Sequence, residues 1–121
     1  MSAYFQSYVA NTKKPAVTDQ ATSGANAAVA VTLVGQSRKR HYVLLVLWSY
    51  SGTPTGGRLT ISGLDPTSDT VDFDITASGP GPITLPPLMG GLGENVVVTL
   101  AAGGAGVVGK LTVASIMADG W

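Results

Sequence analysis

The chain has 121 residues, no cysteine and a formal net charge of zero, and charged residues make up 12% of it, about half the ~25% usual in a soluble domain. That length sets one domain with a modest core, and the neutral balance removes any overall pull toward nucleic acid or an anionic membrane. The lack of cysteine excludes disulfides, thiolate zinc sites and cysteine nucleophiles.

So few charges give weak electrostatic protection against self-association. Much of the surface is therefore expected to be covered by something other than water. Residues 1–20 hold no apolar leader core, and Lys13 and Lys14 come too late for a signal peptide. The longest strongly apolar run, Tyr42 to Trp48, is far short of the ~20 residues that span a bilayer. The expectation is a soluble, unsecreted protein.

Met1 to Thr22 reads as an extended N-terminal arm. Tyr4, Phe5 and Tyr8 are aromatic, no strand or helix period continues past Val9, and Lys13-Lys14-Pro15 breaks local structure. Such a segment either docks its aromatics on a neighbour or frays. The remainder, 23–121, is expected to be the folded domain. Ala27, Val29, Val31 and Leu33 share one parity and face a core. Gly35 to Lys39 is a turn. Tyr42 to Tyr50 is apolar at both parities, with Val43, Leu45 and Leu47 on one side and Leu44, Val46 and Trp48 on the other. A strand apolar on both sides is buried on both. In a small sandwich one side meets the core, so the other is expected to meet a partner or an arm.

The segment from Ser51 to Gly57 is a loop, and Leu59 and Ile61 alternate with polar residues as a half-exposed strand. Gly63 to Asp69 is a second loop with Asp65-Pro66 as turn former. Val71, Phe73, Ile75 and Ala77 alternate with Asp72, Asp74 and Thr76, the cleanest period of two in the chain. Ile83 and Leu85 make a short strand that Pro86-Pro87 ends. Val96, Val98 and Leu100 make another, Gly103 to Gly106 reads as a hairpin-like turn, and Val107 to Met117 is the last strand. The total is seven or eight short strands with no sustained helical period. The expected fold is all-β: an antiparallel β-sandwich, jelly-roll-like, with an extended N-terminal arm.

Candidate chemistry is sparse. Gly52 to Leu59 shadows a phosphate-binding loop, but Arg58 and Leu59 stand where that motif needs Lys and Ser/Thr, and a strand follows in place of a helix. Asp65, Asp69, Asp72 and Asp74 lack the spacing of a calcium loop. Arg38 to His41 is the only basic cluster, too small for a nucleic-acid site but suited to answering a carboxylate on a neighbour. His41 is the only histidine, and no nucleophile motif surrounds it. Tyr42, Trp48 and Tyr50 share a parity, which fits packing, a subunit interface or a sugar-stacking platform. No catalytic, cofactor-binding or metal-ligating residue is assigned, and no cofactor is expected. The interface candidates are Tyr4, Phe5, Tyr8, Arg40, Tyr42, Leu44, Val46 and Trp48.

The runs Arg40-His41-Tyr42-Val43 and Ser49 to Gly57 resemble small proteins encoded among the structural genes of tailed bacteriophages, and so do Phe73 to Gly81 and Val98 to Leu111. The resemblance spans roughly Asn26 to Met117. It implies a β-sandwich virion component made in the host cytoplasm, of the capsid decoration or cement type, commonly a homotrimer seated on a major capsid protein or another virion protein. A lectin-like or receptor-binding virion module is the alternative. Either way no enzyme, nucleic-acid or membrane partner is expected.

Overall fold

The computed structural model describes residues 16–65 and 69–119. They form eight strands: β1 (Val17–Thr22), β2 (Val29–Leu33), β3 (Lys39–Tyr50), β4 (Gly57–Leu64), β5 (Asp69–Ile75), β6 (Gly81–Met89), β7 (Val96–Leu100) and β8 (Gly109–Asp119). The described residues contain no helix. Two four-stranded antiparallel sheets face each other, ordered β1-β8-β3-β6 and β2-β7-β4-β5. The first strand pairs with the last, the second with the seventh, the third with the sixth and the fourth with the fifth. This is one long hairpin rolled up on itself, the jelly roll. Of strands consecutive in the chain, β4 and β5 alone are bonded side by side. The Gly103 to Gly106 segment is accordingly not a hairpin turn, because it carries the chain from β7 in one sheet to β8 in the other.

The core lies between the sheets. Val29, Val31 and Leu33 from β2 meet Val96, Val98 and Leu100 from β7 and Leu59 and Ile61 from β4. Val43 and Val46 from β3 and Leu111 and Val113 from β8, all 0% exposed, close it from the first sheet. Burying each such side chain contributes about 1.5–3 kcal/mol. Period-two alternation accounts for β2 and β7 directly: their burial runs inward, outward, inward without a break.

The sandwich begins at Val17, six residues before the expected boundary at 23. Val17 to Thr22 is bonded along its length to Ser115 to Lys110 of β8. The strand is easy to miss because it is an edge strand with polar content, and Val17 itself is 57% exposed. A second difference concerns Pro86-Pro87, expected to end a strand. β6 instead runs on to Met89, with its pairing to β3 jumping from Thr84 to Leu88. Proline lacks the N–H of a ladder bond, and an edge strand at an irregularity is where that is tolerated.

At one end the two sheets are stitched together. Leu64 at the end of β4 bridges to Gly90. The Asp65 N–H donates to the Met89 carbonyl (2.9 Å) and the Gly91 N–H to the Gly63 carbonyl (2.9 Å). Gly63 stands at φ +84°, and a Cβ there would collide with the Asn95 carbonyl. Glycine is therefore the residue this corner needs.

Candidate interaction surfaces

β3 decides which of the expected interface residues reach the surface. Its pairing with both β8 and β6 skips Leu44, a β-bulge. One extra residue flips the alternation. His41 and Val43 point inward before the bulge, and Val46 and Tyr50 point inward after it, all buried. Leu45 and Leu47 take the outer side, and Leu47 is 39% exposed. Val46, at 0% exposure, is thus a core residue and not an interface residue. Trp48 packs against the same core, its indole lying on Gly81 of β6. Leu44 and Tyr42 are half-buried.

The bulge also dissolves the aromatic row. Tyr42 falls on the outer side, whereas Trp48 and Tyr50 turn inward with ring centroids 6.4 Å apart at 58°. The Tyr50 hydroxyl donates to the Ala101 carbonyl (2.7 Å). Burial pushes this phenol up from its ordinary value, against a smaller opposing effect of the Arg58 backbone. Three rings that do not share a face make no stacking platform.

Three of the four residues of the basic cluster, Lys39, Arg40 and His41, bond within the molecule. The Arg40 guanidinium donates to Asp65 (3.3 Å) and to the Gly90 carbonyl (2.9 Å), so it ties the corner together rather than waiting for a neighbour's carboxylate. Lys39 pairs with Asp119 at 3.4 Å. His41 is buried, and its Nε2–H donates to the Val34 carbonyl (2.7 Å). Arg58, in the phosphate-loop lookalike, pairs with Asp74 at 3.3 Å on an exposed strand face. Beside it a shallow depression of about 320 Å³ is lined by Pro54, Gly57, Arg58, Asp74 and Ile75. Asp65 and Asp74 answer different arginines in different places, and among the described residues no three carboxylate or imidazole groups converge. Tyr4, Phe5 and Tyr8 lie outside the described residues.

Besides Leu47, further apolar side chains are exposed away from β3. Val34 is 66% exposed, Leu92 45% and Met89 38%. Their segments are tied together at the stitched end. The Gly93 N–H donates to the Lys39 carbonyl (2.8 Å), the Gly90 N–H to the His41 carbonyl (2.7 Å), and Asn95 accepts from the Gly35 N–H (2.7 Å). Two signals for this tip stood in the sequence. Val34 continues the alternation of β2 onto the outward parity as an apolar residue, and Leu92 sits between Gly91 and Gly93 with no strand to bury it. On the far edge, Val71 (39%) and Phe73 (37%) have the parity of buried Ile75 yet remain open, because β5 is an edge strand.

No protein-family model matches this chain, and neither does any curated protein sequence. Solved structures with a similar outline include the Drosophila NLP-core, described with pentamer formation and histone binding, at 10% identity and TM-score 0.49 over 85% of this chain and 99% of that one. Another is the CBM36-1 domain of a multidomain xylanase from the hindgut metagenome of Trinervitermes trinervoides, at 14% identity and TM-score 0.38 over 91% and 94%. A third is the virus-like particle of the Macrobrachium rosenbergii extra small virus, at 15% identity and TM-score 0.29 over 84% and 79%. None of these brings a function to this chain.

Proposed function

We propose that the protein is a structural component of a virion, of the decoration or cement type, that works by burying surface against copies of itself and a capsid protein, without catalysis. The observation that carries this reading is the apolar tip. Val34 and Leu92 are both exposed on neighbouring loops that hydrogen bonds hold together at one end of the sandwich. Apolar side chains gathered at one place on a charge-poor surface mark an association site. The jelly-roll topology is in keeping, since capsid and lectin domains use it, though a fold alone assigns no function. The resemblance to phage structural proteins supplies the virion setting, and a trimer is the assembly it favours.

Sedimentation velocity tests the reading. The wild-type chain should sediment as a defined oligomer at micromolar concentration, and Val34→Asp with Leu92→Asp should sediment as a folded monomer. Mass spectrometry of particles purified from the source should find the protein in them. A wild-type chain that stays monomeric and is missing from the particles defeats the proposal.

A further inference from the structure

The outer face of the β1-β8-β3-β6 sheet, turned away from the core, is closed at one end within a single chain. Ile116 and Ala118 of β8 are 2% and 4% exposed, although neither belongs to the core cluster. They have the opposite parity to Val113 and Ser115, and they pair with Tyr42 and Arg40 of β3. Successive residues of a strand point to opposite faces. These two therefore lie on the outer face, over which none of the eight strands passes. Further along the same face, Leu45 and Ala114 are half-buried, and Leu47 is open.

We infer that this face is the seat of the chain's own N-terminal segment, Met1–Pro15. Three observations bring that segment there. β1 is antiparallel to β8 with Val17 opposite Ser115, so the chain before Ala16 leaves the sheet beside Ile116, the buried end of the face. Pro15 has no N–H with which to extend the ladder to β8. The segment also carries the apolar groups a sheet face takes up: Tyr4, Phe5, Tyr8 and Val9.

The distances allow it. Leu47 is four β8 residues from Ile116, by way of its partner Thr112, which is about 13 Å along the strand, with a further ~10 Å across two strand spacings. The eight residues from Tyr8 to Ala16 reach up to about 26 Å. The segment is therefore long enough for its aromatic residues to reach the open Leu45–Leu47 stretch. The stitched tip with Val34 and Leu92 is a separate surface, and this inference does not rest on its role.

The chain has no cysteine, so single thiols can be placed at will. Ile116→Cys should alkylate slowly in the full-length chain. It should alkylate about tenfold faster or more in a chain that starts at Ala16, because protection is lost with the covering segment. Circular dichroism checks that both remain folded. A spin label at Ser7→Cys then distinguishes a chain's own segment from a neighbour's. With label and ¹⁵N on the same chain, diluted into excess unlabelled chain, the Leu45, Leu47 and Ala114 amides should lose intensity and the β5 amides should lose least. Unchanged thiol protection on truncation overturns the inference. So does broadening that appears only when label and ¹⁵N are on different chains, which would mean the segment is exchanged between copies.

Discussion

Tyr50 places its phenol inside the core, where burial favours the neutral form and raises its pKa above the ordinary 10.0. The folded chain therefore holds this proton longer than the unfolded chain does. The contribution to stability is fully present below about pH 10 and is lost as pH rises beyond it. Thermal melts between about pH 8 and 11 should be flat and then fall. Tyr50→Phe should remove part of the alkaline fall, at a cost of about 1 kcal/mol at neutral pH for the lost bond to Ala101. Neighbouring positions on β3 separate more sharply. Val46→Asp buries a carboxylate with no partner at a site 0% exposed, a cost of several kcal/mol against a typical total stability of 5–15. Leu47→Asp places the same group on the outer face and should leave a cooperative thermal transition intact. If circular dichroism finds both variants equally folded, or both unfolded, the bulge is misplaced.

At the scale of the strand, the bulge at Leu44 lets β3 serve both halves of the core. Inward residues are His41 and Val43 before it, Val46 and Tyr50 after it. Deleting Leu44 restores strict alternation and must turn one of these sets outward. Near-complete loss of the near-ultraviolet signal of Trp48 and Tyr50 is the expected outcome. β1 makes a comparable claim. It covers the edge of β8, and without it the long strand Gly109–Asp119 presents unpaired N–H and C=O groups. A chain starting at Ala16 should keep the full sandwich. One starting at Ser23 should aggregate, because a bare edge pairs with other chains. Size-exclusion profiles of the two truncations check this.

At the scale of the molecule, every pairing except β4–β5 joins strands distant in the chain, and the outermost pair joins Val17 to Ser115. Loop closure must come before those contacts reward it, so folding is expected in milliseconds to seconds, the range of all-β sandwiches. Stopped-flow refolding measures it, and a microsecond phase carrying the full amplitude would contradict the topology. The same rolled hairpin brings the loop after β2 beside the loop after β6 and so assembles the apolar tip. Val34 and Leu92 are far apart in the chain, and neither alone marks a surface.

Local patterning determined much of this protein. The all-β class follows from alternation in β2, β5 and β7, and most turns follow from glycine and proline. Those signals are carried by adjacent residues, so they need no knowledge of the fold. The excess of apolar residues in β3 was legible too, but not their directions. A bulge changes parity through the register with β6 and β8, and that register is set by strands some 40 to 70 residues away. Likewise Arg40 could be recognised as a cation but not as a tie to Asp65, because that pairing exists only once β4 and β3 meet at the stitched corner. β1 stayed hidden because an edge strand needs little apolar content when its partner supplies the hydrogen bonds. Period and turn chemistry are properties of the chain. Register, edges and the use of each charge are properties of which strands come to lie side by side, and only the tertiary structure decides those.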